Sequence, residues 1–115
     1  MARKLTTKQQ IDAFVAKLMS EAHHHGANVE HVIQPLSREV RLRLNLSIDK
    51  VEVYERNGNI ARTCWVTLQG SRYVFSYNYQ SEKIELRDHS IQGAVRFAFD
   101  NATSLTDIQK EVGRL

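Results

Sequence analysis

The residues of this chain with the most obvious chemistry are three consecutive histidines, His23, His24 and His25, because imidazole nitrogens commonly bind zinc. They fall at the end of a predicted helix, where consecutive side chains point about 100° apart. Three such side chains cannot converge on one ion, and a histidine in a last helical turn already interacts favourably with the helix dipole. The sequence therefore predicts no metal site and no cofactor.

A second group of candidates interrupts the apolar side of a predicted β-sheet, which we call the inner face. Glu55 and Arg62 are diagonal neighbours in the predicted strand pairing, with Tyr77 directly across from Arg62 and Tyr79 nearby. Charged groups could orient a ligand that the tyrosine rings cover, as in many small-molecule pockets. The alternative is a salt bridge at the rim of the sheet, where the helices stop covering it.

The opposite side of the predicted sheet, which we call the outer face, combines arginines with aromatic residues. Its candidate interaction residues are Arg41, Arg43, Tyr54, Arg56, Trp65, Arg72 and Val74. Arg87 and Arg96 also fall on this face, so that six arginines stand against two glutamates, Glu52 and Glu85. The predicted pairing sets Arg43 opposite Arg56, which is destabilising unless an anion or an acidic partner binds there.

Three interpretations of the outer face remain open. An exposed patch of Tyr54, Trp65 and Val74 on an open sheet is typical of a dimer surface. Basic residues interleaved with aromatic residues also bind single-stranded nucleic acid on sheets. The third interpretation is a solvated face whose arginines cover the aromatic rings. We favour burial of the patch in a homodimer over binding of nucleic acid or another acidic partner.

No catalytic motif is recognisable in the sequence, which lacks a glycine-rich phosphate loop, a nucleophile elbow and paired metal-ligand spacings. The single cysteine, Cys64, falls on the inner face, where a buried structural thiol is expected rather than a nucleophile. An enzymatic activity is therefore not favoured, and no catalytic residues are predicted.

The strands that must position these residues follow from apolar residues that alternate between positions 40 and 99. Period two is the signature of a strand with one buried face. The pattern predicts a first strand over 40–48, followed by two-residue turns at 49–50, 57–58 and 69–70 that keep the same face apolar. Two further strands lie around 84–86 and 95–99, although residues 91–99 also fit a helical stripe.

These turns fix the predicted strand pairing. Ile48 should lie opposite Val51, and Val51 in turn opposite Cys64. Val53 should lie opposite Arg62. Around the third turn, Val66 should face Tyr73 and Cys64 should face Phe75. The result is an antiparallel meander.

Two helices are predicted to bracket the sheet. Thr7 and Gln10 form a capping box before an apolar stripe that includes Phe14 and Leu18, and Gly26 is the expected stop. Ser104 and Asp107 form a second capping box before a short helix lined by Leu105, Ile108 and Val112. Between the first helix and the sheet, Val29, His31 and Ile33 could form a short edge strand that Pro35 ends.

The predicted fold class is therefore α+β. It is a two-layer sandwich with an antiparallel β-meander of five to six strands and an N-terminal and a C-terminal helix packed on one face.

Composition sets the limits of this prediction. At 115 residues the chain is predicted to form one domain, 1–115. A hydrophobic content of 42% and a charged content of 25% are ordinary for a globular protein, and no apolar run is long enough to span a membrane. The first residues lack the apolar segment of a signal peptide, so a cytoplasmic location is expected.

The last third of the chain carries a recognisable resemblance. Its stretches are Ile84-Glu85-Leu86-Arg87-Asp88, Ser90-Ile91-Gln92-Gly93 and Phe99-Asp100-Asn101-Ala102-Thr103-Ser104-Leu105. They resemble the ends of small uncharacterised proteins encoded by mobile integron gene cassettes in bacteria. The resemblance implies a compact α+β protein, often of unknown activity, and supplies no catalytic residues. It favours a cytoplasmic, oligomeric binding protein.

Overall fold

A computed structural model describes residues 2–25, 29–56, 59–78, 80–89 and 92–115, with side chains except at 2–3, 21–25, 54–56 and 59–62. The elements are β1 (Ala2–Lys4), α1 (Lys8–His25), α2 (Ile33–Arg43), β2 (Lys50–Arg56), β3 (Asn59–Leu68), β4 (Ser71–Asn78), β5 (Lys83–Asp88), β6 (Val95–Phe99) and α3 (Leu105–Gly113). The strands form one sheet, and the helices bury their apolar sides against its inner face. The α+β prediction is confirmed.

The sheet is antiparallel throughout, and its strands lie side by side in chain order from β1 to β6. Strands β2 to β6 form the meander, and residues 95–99 are a strand rather than a helix. Strand β1 adds an edge beside β2, with Lys4 opposite Glu52. It was not predicted, because three residues are too few to show an alternating pattern.

The β3–β4 hairpin follows the predicted register. Cys64 lies opposite Phe75, and Trp65 lies opposite Val74. The turn residues Gln69 and Gly70 both have positive φ, 50° and 85°. Positive φ at both central residues is the requirement of the tight turn that matches the twist of two antiparallel strands.

The register of β2 against β3 was predicted wrongly beyond the turn. Glu55 lies opposite Ile60, as expected, but Val53 lies opposite Cys64 instead of Arg62. Val51 consequently lies opposite Val66 instead of Cys64. Between these pairs β3 carries three residues where β2 carries one, which is a bulge with an offset of two. Because side chains alternate with period two, an even offset leaves the inner face apolar.

The predicted first strand over 40–48 is also wrong. Val40 belongs to α2, and residues 46–48 form a turn. Ile33, Leu36 and Val40 follow the helical spacing i, i+3 and i+7, and all three are buried against the sheet. The predicted pairing of Ile48 with Val51 therefore does not occur, and Ile48 is 64% exposed.

The segment predicted as an edge strand is instead the approach to α2. Val29 to Val32 form a turn, and Pro35 lies in the first helical turn, where its missing N–H has no intrahelical acceptor to lose. The Asn101 Oδ1, from the loop before α3, accepts hydrogen bonds from the backbone N–H groups of His31 (2.8 Å) and Val32 (3.2 Å). This long-range cap explains why the helix can begin without a capping side chain of its own.

The predicted Thr7–Gln10 capping box is present, and of the Ser104–Asp107 box the N-cap bond is present. The Thr7 hydroxyl accepts from the Gln10 N–H at 3.1 Å, and the Ser104 hydroxyl accepts from the Asp107 N–H at 3.1 Å. Phe14 is buried and Leu18 packs against the core, whereas Leu105 is 47% exposed and does not pack on the sheet as predicted. Gly26, the predicted helix stop, lies outside the described residues.

Candidate functional site

The outer face of the sheet carries a central row of side chains that crosses all six strands. From β1 to β6 the row reads Lys4, Glu52, Trp65, Val74, Arg87 and Val95. Directly opposite residues of paired strands project to the same face, so these six side chains share one side. Among the described residues, the helical side chains of both core clusters pack on the other side.

An aromatic centre dominates this row. Trp65 is half-buried, and the Arg72 guanidinium carbon lies 5.5 Å from the centroid of the indole ring. That distance is within the range of a cation–π interaction. Val74 is fully buried although it belongs to neither core cluster, so it is covered by neighbours on its own face. The expectation of an exposed Val74 is wrong, because the long side chains around it shield it.

Arg87 is held in place next to this centre. One guanidinium nitrogen lies 2.8 Å from Glu85 Oε1, and the other donates to the Gly93 carbonyl oxygen at 2.8 Å. The side chains of Arg87 and Glu85 remain 24% and 16% exposed. Charged side chains fixed by two contacts lose little further entropy when a partner covers them.

Hydroxyl groups flank the central row. Thr63 and Ser76 lie opposite each other, and their oxygen atoms are 3.5 Å apart. On the other flank Thr67 lies opposite Arg72. The outer face therefore has an aromatic centre, polar flanks and charges of both signs.

Two predicted interaction residues are not on this face. Arg41 and Arg43 lie on α2, because residues 40–43 are helical rather than extended. Arg41 Nη1 is 2.8 Å from Asp12 Oδ1 of α1. The Arg43 guanidinium lies over the end of α3, where a Cβ added at Gly113 would be 3.0 Å from it. The predicted pair of Arg43 with Arg56 is wrong for the same reason.

Arg96 also differs from its predicted place. A register shift between β5 and β6 directs it to Asp88 Oδ1, at 2.9 Å, and over the ring of Tyr73, at 5.5 Å. Tyr73 is a buried inner-face residue. Tyr54 and Arg56 remain in β2, but their side chains are outside the described set.

The predicted rim pocket falls largely outside the described residues. The side chains of Glu55 and Arg62 are not described, and neither is Tyr79. Tyr77 is half-buried, lies opposite Ile84 and packs against the core. The pocket remains a prediction.

Cys64 lies on the inner face between the two core clusters. Burial raises the pKa of its thiol to about 12, because the thiolate would lose its hydration. The thiol is therefore protonated at neutral pH, which makes it a poor nucleophile.

Metal binding finds no support within the described part of the chain. No three His, Cys, Asp or Glu residues cluster there in a way that could hold an ion. The side chains of His23, His24 and His25 are outside that part. Over the same residues, no helix combines the length and apolar character needed to cross a bilayer.

Sequence reasoning missed the charged residues of the central row as site residues. Glu52 and Arg87 were placed correctly on the outer face but were treated only as background charge. Lys4 was missed because β1 was not predicted. The signal that could have found them is the strand pairing itself, once the β2–β3 offset is known.

The fold and this surface define a class: a small α+β protein with a six-stranded antiparallel sheet, helices on one face and, opposite, a mixed-charge face on which no described helix packs. The family model described as "Integron cassette protein VCH_CASS1 chain" matches residues 11–109. The chain therefore belongs to this family of integron cassette proteins, which confirms the resemblance in its last third. No curated protein matches the chain significantly.

Proposed function

We propose that this integron cassette protein is a small binding protein that self-associates through the outer face of its sheet. The observation that carries the proposal is the position of Trp65, at the centre of a face on which no described helix packs. As part of the same proposal, the protein acts in the bacterial cytoplasm.

The position of Trp65 is suited to an interface. Tryptophan is enriched among the few residues that carry most of the binding energy, and such residues lie near the centre of an interface. Arg72 packs on its ring, and Val74 supports it from the adjacent strand without being accessible itself. The flanks of this centre carry hydroxyl groups and charges, as expected around an interface centre, while Val95 at the β6 edge is apolar and exposed.

The size of the face is also adequate. Six strands spaced about 4.8 Å apart span about 24 Å, and β4 with its eight residues extends about 26 Å. The flat footprint is then on the order of 600 Å², and side-chain relief increases the accessible area towards the roughly 800 Å² per partner of a standard interface. A second copy of the same sheet would cover it.

Nucleic acid remains the alternative occupant, but the positions of the arginines weaken it. Arg41 and Arg43 are on α2, and Arg96 is paired with Asp88 towards the inner face. On the outer face Arg87 is already bridged to Glu85. The contiguous basic surface that nucleic-acid binding requires is therefore smaller than the sequence indicated.

The test is the solution mass of the purified protein, measured by light scattering. Wild-type protein should be a dimer, and Trp65→Glu should be a monomer with unchanged circular dichroism. Thr106→Glu is the matched control, because it adds the same charge at an exposed position of α3 and should leave the dimer intact. A monomeric wild type would refute self-association, and salt-sensitive oligonucleotide binding lost in Arg72→Gln would support the alternative.

A further inference from the structure

The order of the charges along the central row bears on how two copies of the outer face would pair. Glu52 on β2 and Arg87 on β5 lie at equal distances from the midpoint between β3 and β4. Trp65 and Val74 flank that midpoint. In the reversed copy of the row Glu52 matches Arg87, a negative position against a positive one, while Lys4 at one end of the row matches the apolar Val95 at the other.

We infer that the dimer has a two-fold axis parallel to the strands, passing between β3 and β4, so that Glu52 of each subunit faces Arg87 of the other. This inference rests on the proposed function. It goes further because it fixes which residues meet across the interface.

The alternative axes can be compared directly. Two sheets packed face to face can be related by a two-fold axis along the strands or across them. An axis along the strands reverses the row, so that opposite charges meet twice. An axis across the strands keeps the row in order, so that Glu52 would meet Glu52 and Arg87 would meet Arg87. Like charges juxtaposed in an interface are strongly unfavourable, which selects the first arrangement.

The flanking residues are compatible with that choice. Reversal about the β3–β4 midpoint brings Thr63 of one subunit over Ser76 of the other, and two hydroxyl groups can always pair as donor and acceptor. It also brings Thr67 over Arg72, a neutral acceptor over a cation. Because aligned sheets pack about 10 Å apart, the long side chains of Glu52, Arg72 and Arg87 can reach across, whereas the short hydroxyl side chains would pair through bridging water.

The experiment is a charge-swap complementation. Glu52→Arg alone places two cations in each contact, and Arg87→Glu alone places two anions there, so each variant should be a monomer. The double variant that combines Glu52→Arg with Arg87→Glu restores one cation and one anion in both contacts and should be a dimer, which native mass spectrometry detects by mass. An axis across the strands would instead leave two cations at position 52 and two anions at position 87.

The possible outcomes separate this inference from the proposed function. A monomeric wild type overturns both. A wild-type dimer that Trp65→Glu dissociates, with single variants that fold and a double variant that stays monomeric, overturns the axis and leaves self-association standing. A dimer recovered in the double variant from two monomeric single variants supports the axis. Thermal unfolding of each variant checks folding, because Arg87→Glu also loses the contacts to Glu85 and Gly93.

If Arg87→Glu does not fold, cysteine cross-linking gives the decision instead. Glu52 and Arg87 lie three strands apart, about 14 Å, and facing sheets lie about 10 Å apart, too far for a disulfide. Cysteines at these positions are therefore joined with a short bismaleimide, which bridges facing thiols between subunits but does not span the distance within one subunit. The inferred axis predicts that Glu52→Cys combined with Arg87→Cys cross-links the dimer, whereas Glu52→Cys alone does not. Efficient cross-linking of Glu52→Cys alone would show the axis across the strands and overturn the inference.

Discussion

Asp49 provides the sharpest test of how the helical layer is joined to the sheet. This residue is only 7% exposed, and both of its carboxylate oxygens are used. Oδ2 accepts from the Asn45 N–H at 2.8 Å, which holds the loop between α2 and β2. Oδ1 accepts from the Gln69 N–H at 2.9 Å, which holds the β3–β4 turn. One side chain thus fixes two loops that are 20 residues or more apart in the chain.

The expected magnitude follows from these two bonds. Hydrogen bonds to a charged acceptor contribute about 1.5–3 kcal/mol each, and the donors belong to residues with exposed side chains, so water can replace part of the loss. Asp49→Ala should therefore lower the free energy of unfolding by about 3 kcal/mol. Asp49→Asn keeps one acceptor but turns an NH₂ towards the other donor, so it should cost about 2 kcal/mol.

Urea titration followed by Trp65 fluorescence measures these differences, at one fixed protein concentration because self-association shifts the apparent stability. Asp12→Ala is the matched control, since its ion pair with Arg41 is exposed and should contribute less than about 1 kcal/mol. If Asp49→Ala cost no more than Asp12→Ala, the carboxylate would not join the two loops and the reasoning would fail.

Three further changes have defined outcomes. Phe75→Ala should lower the unfolding free energy by about 3–5 kcal/mol, because it removes a ring that is 9% exposed from the larger core cluster; a loss below about 1 kcal/mol in the same titration would contradict that position. Cys64 should react with a thiol reagent at least about tenfold more slowly in the folded protein than in urea, because burial raises the pKa of its thiol. Burial raises the pKa of the Cys64 thiol in the folded state. The stability that the buried thiol contributes is therefore complete below pH 9 and is lost between pH 9 and about 12. The variant Cys64→Ala should not show this loss. Ser104→Ala should cost about 1 kcal/mol through the lost cap to Asp107, whereas Thr106→Ala on the exposed side of α3 should cost little; equal losses in thermal unfolding would contradict the capping role.

The hairpin β3–β4 shows what the sequence determines well. Its turn has two residues, so the pairing of neighbouring strands follows from turn length alone, and no distant part of the chain is needed. Trp65 and Arg72 were placed correctly on the outer face for this reason. The candidate site is predictable wherever it depends on that hairpin.

Residues 40–48 show where the sequence is ambiguous. Val40 fits both a period-two pattern with later residues and a helical stripe with Leu36 and Ile33. Two residues of the supposed alternation, Leu42 and Ile48, are 74% and 64% exposed, so the alternating apolar positions do not form a buried face. The helix wins through contacts with the sheet and through the cap from Asn101, about 70 residues away, and neither has a local signature.

The bulge on β3 determines which changes in the length of this strand the fold can tolerate. Because its offset from β2 is two residues, the strand could lose both extra residues and still present the same side chains to the same face. Loss of one residue would exchange the two faces from the bulge to the end of the strand, and would bring Trp65 into the core and Val66 out of it. In a protein carried on a mobile gene cassette, the hairpin formed by β2 and β3 should therefore accept the insertion or deletion of two residues at the bulge and reject that of one residue.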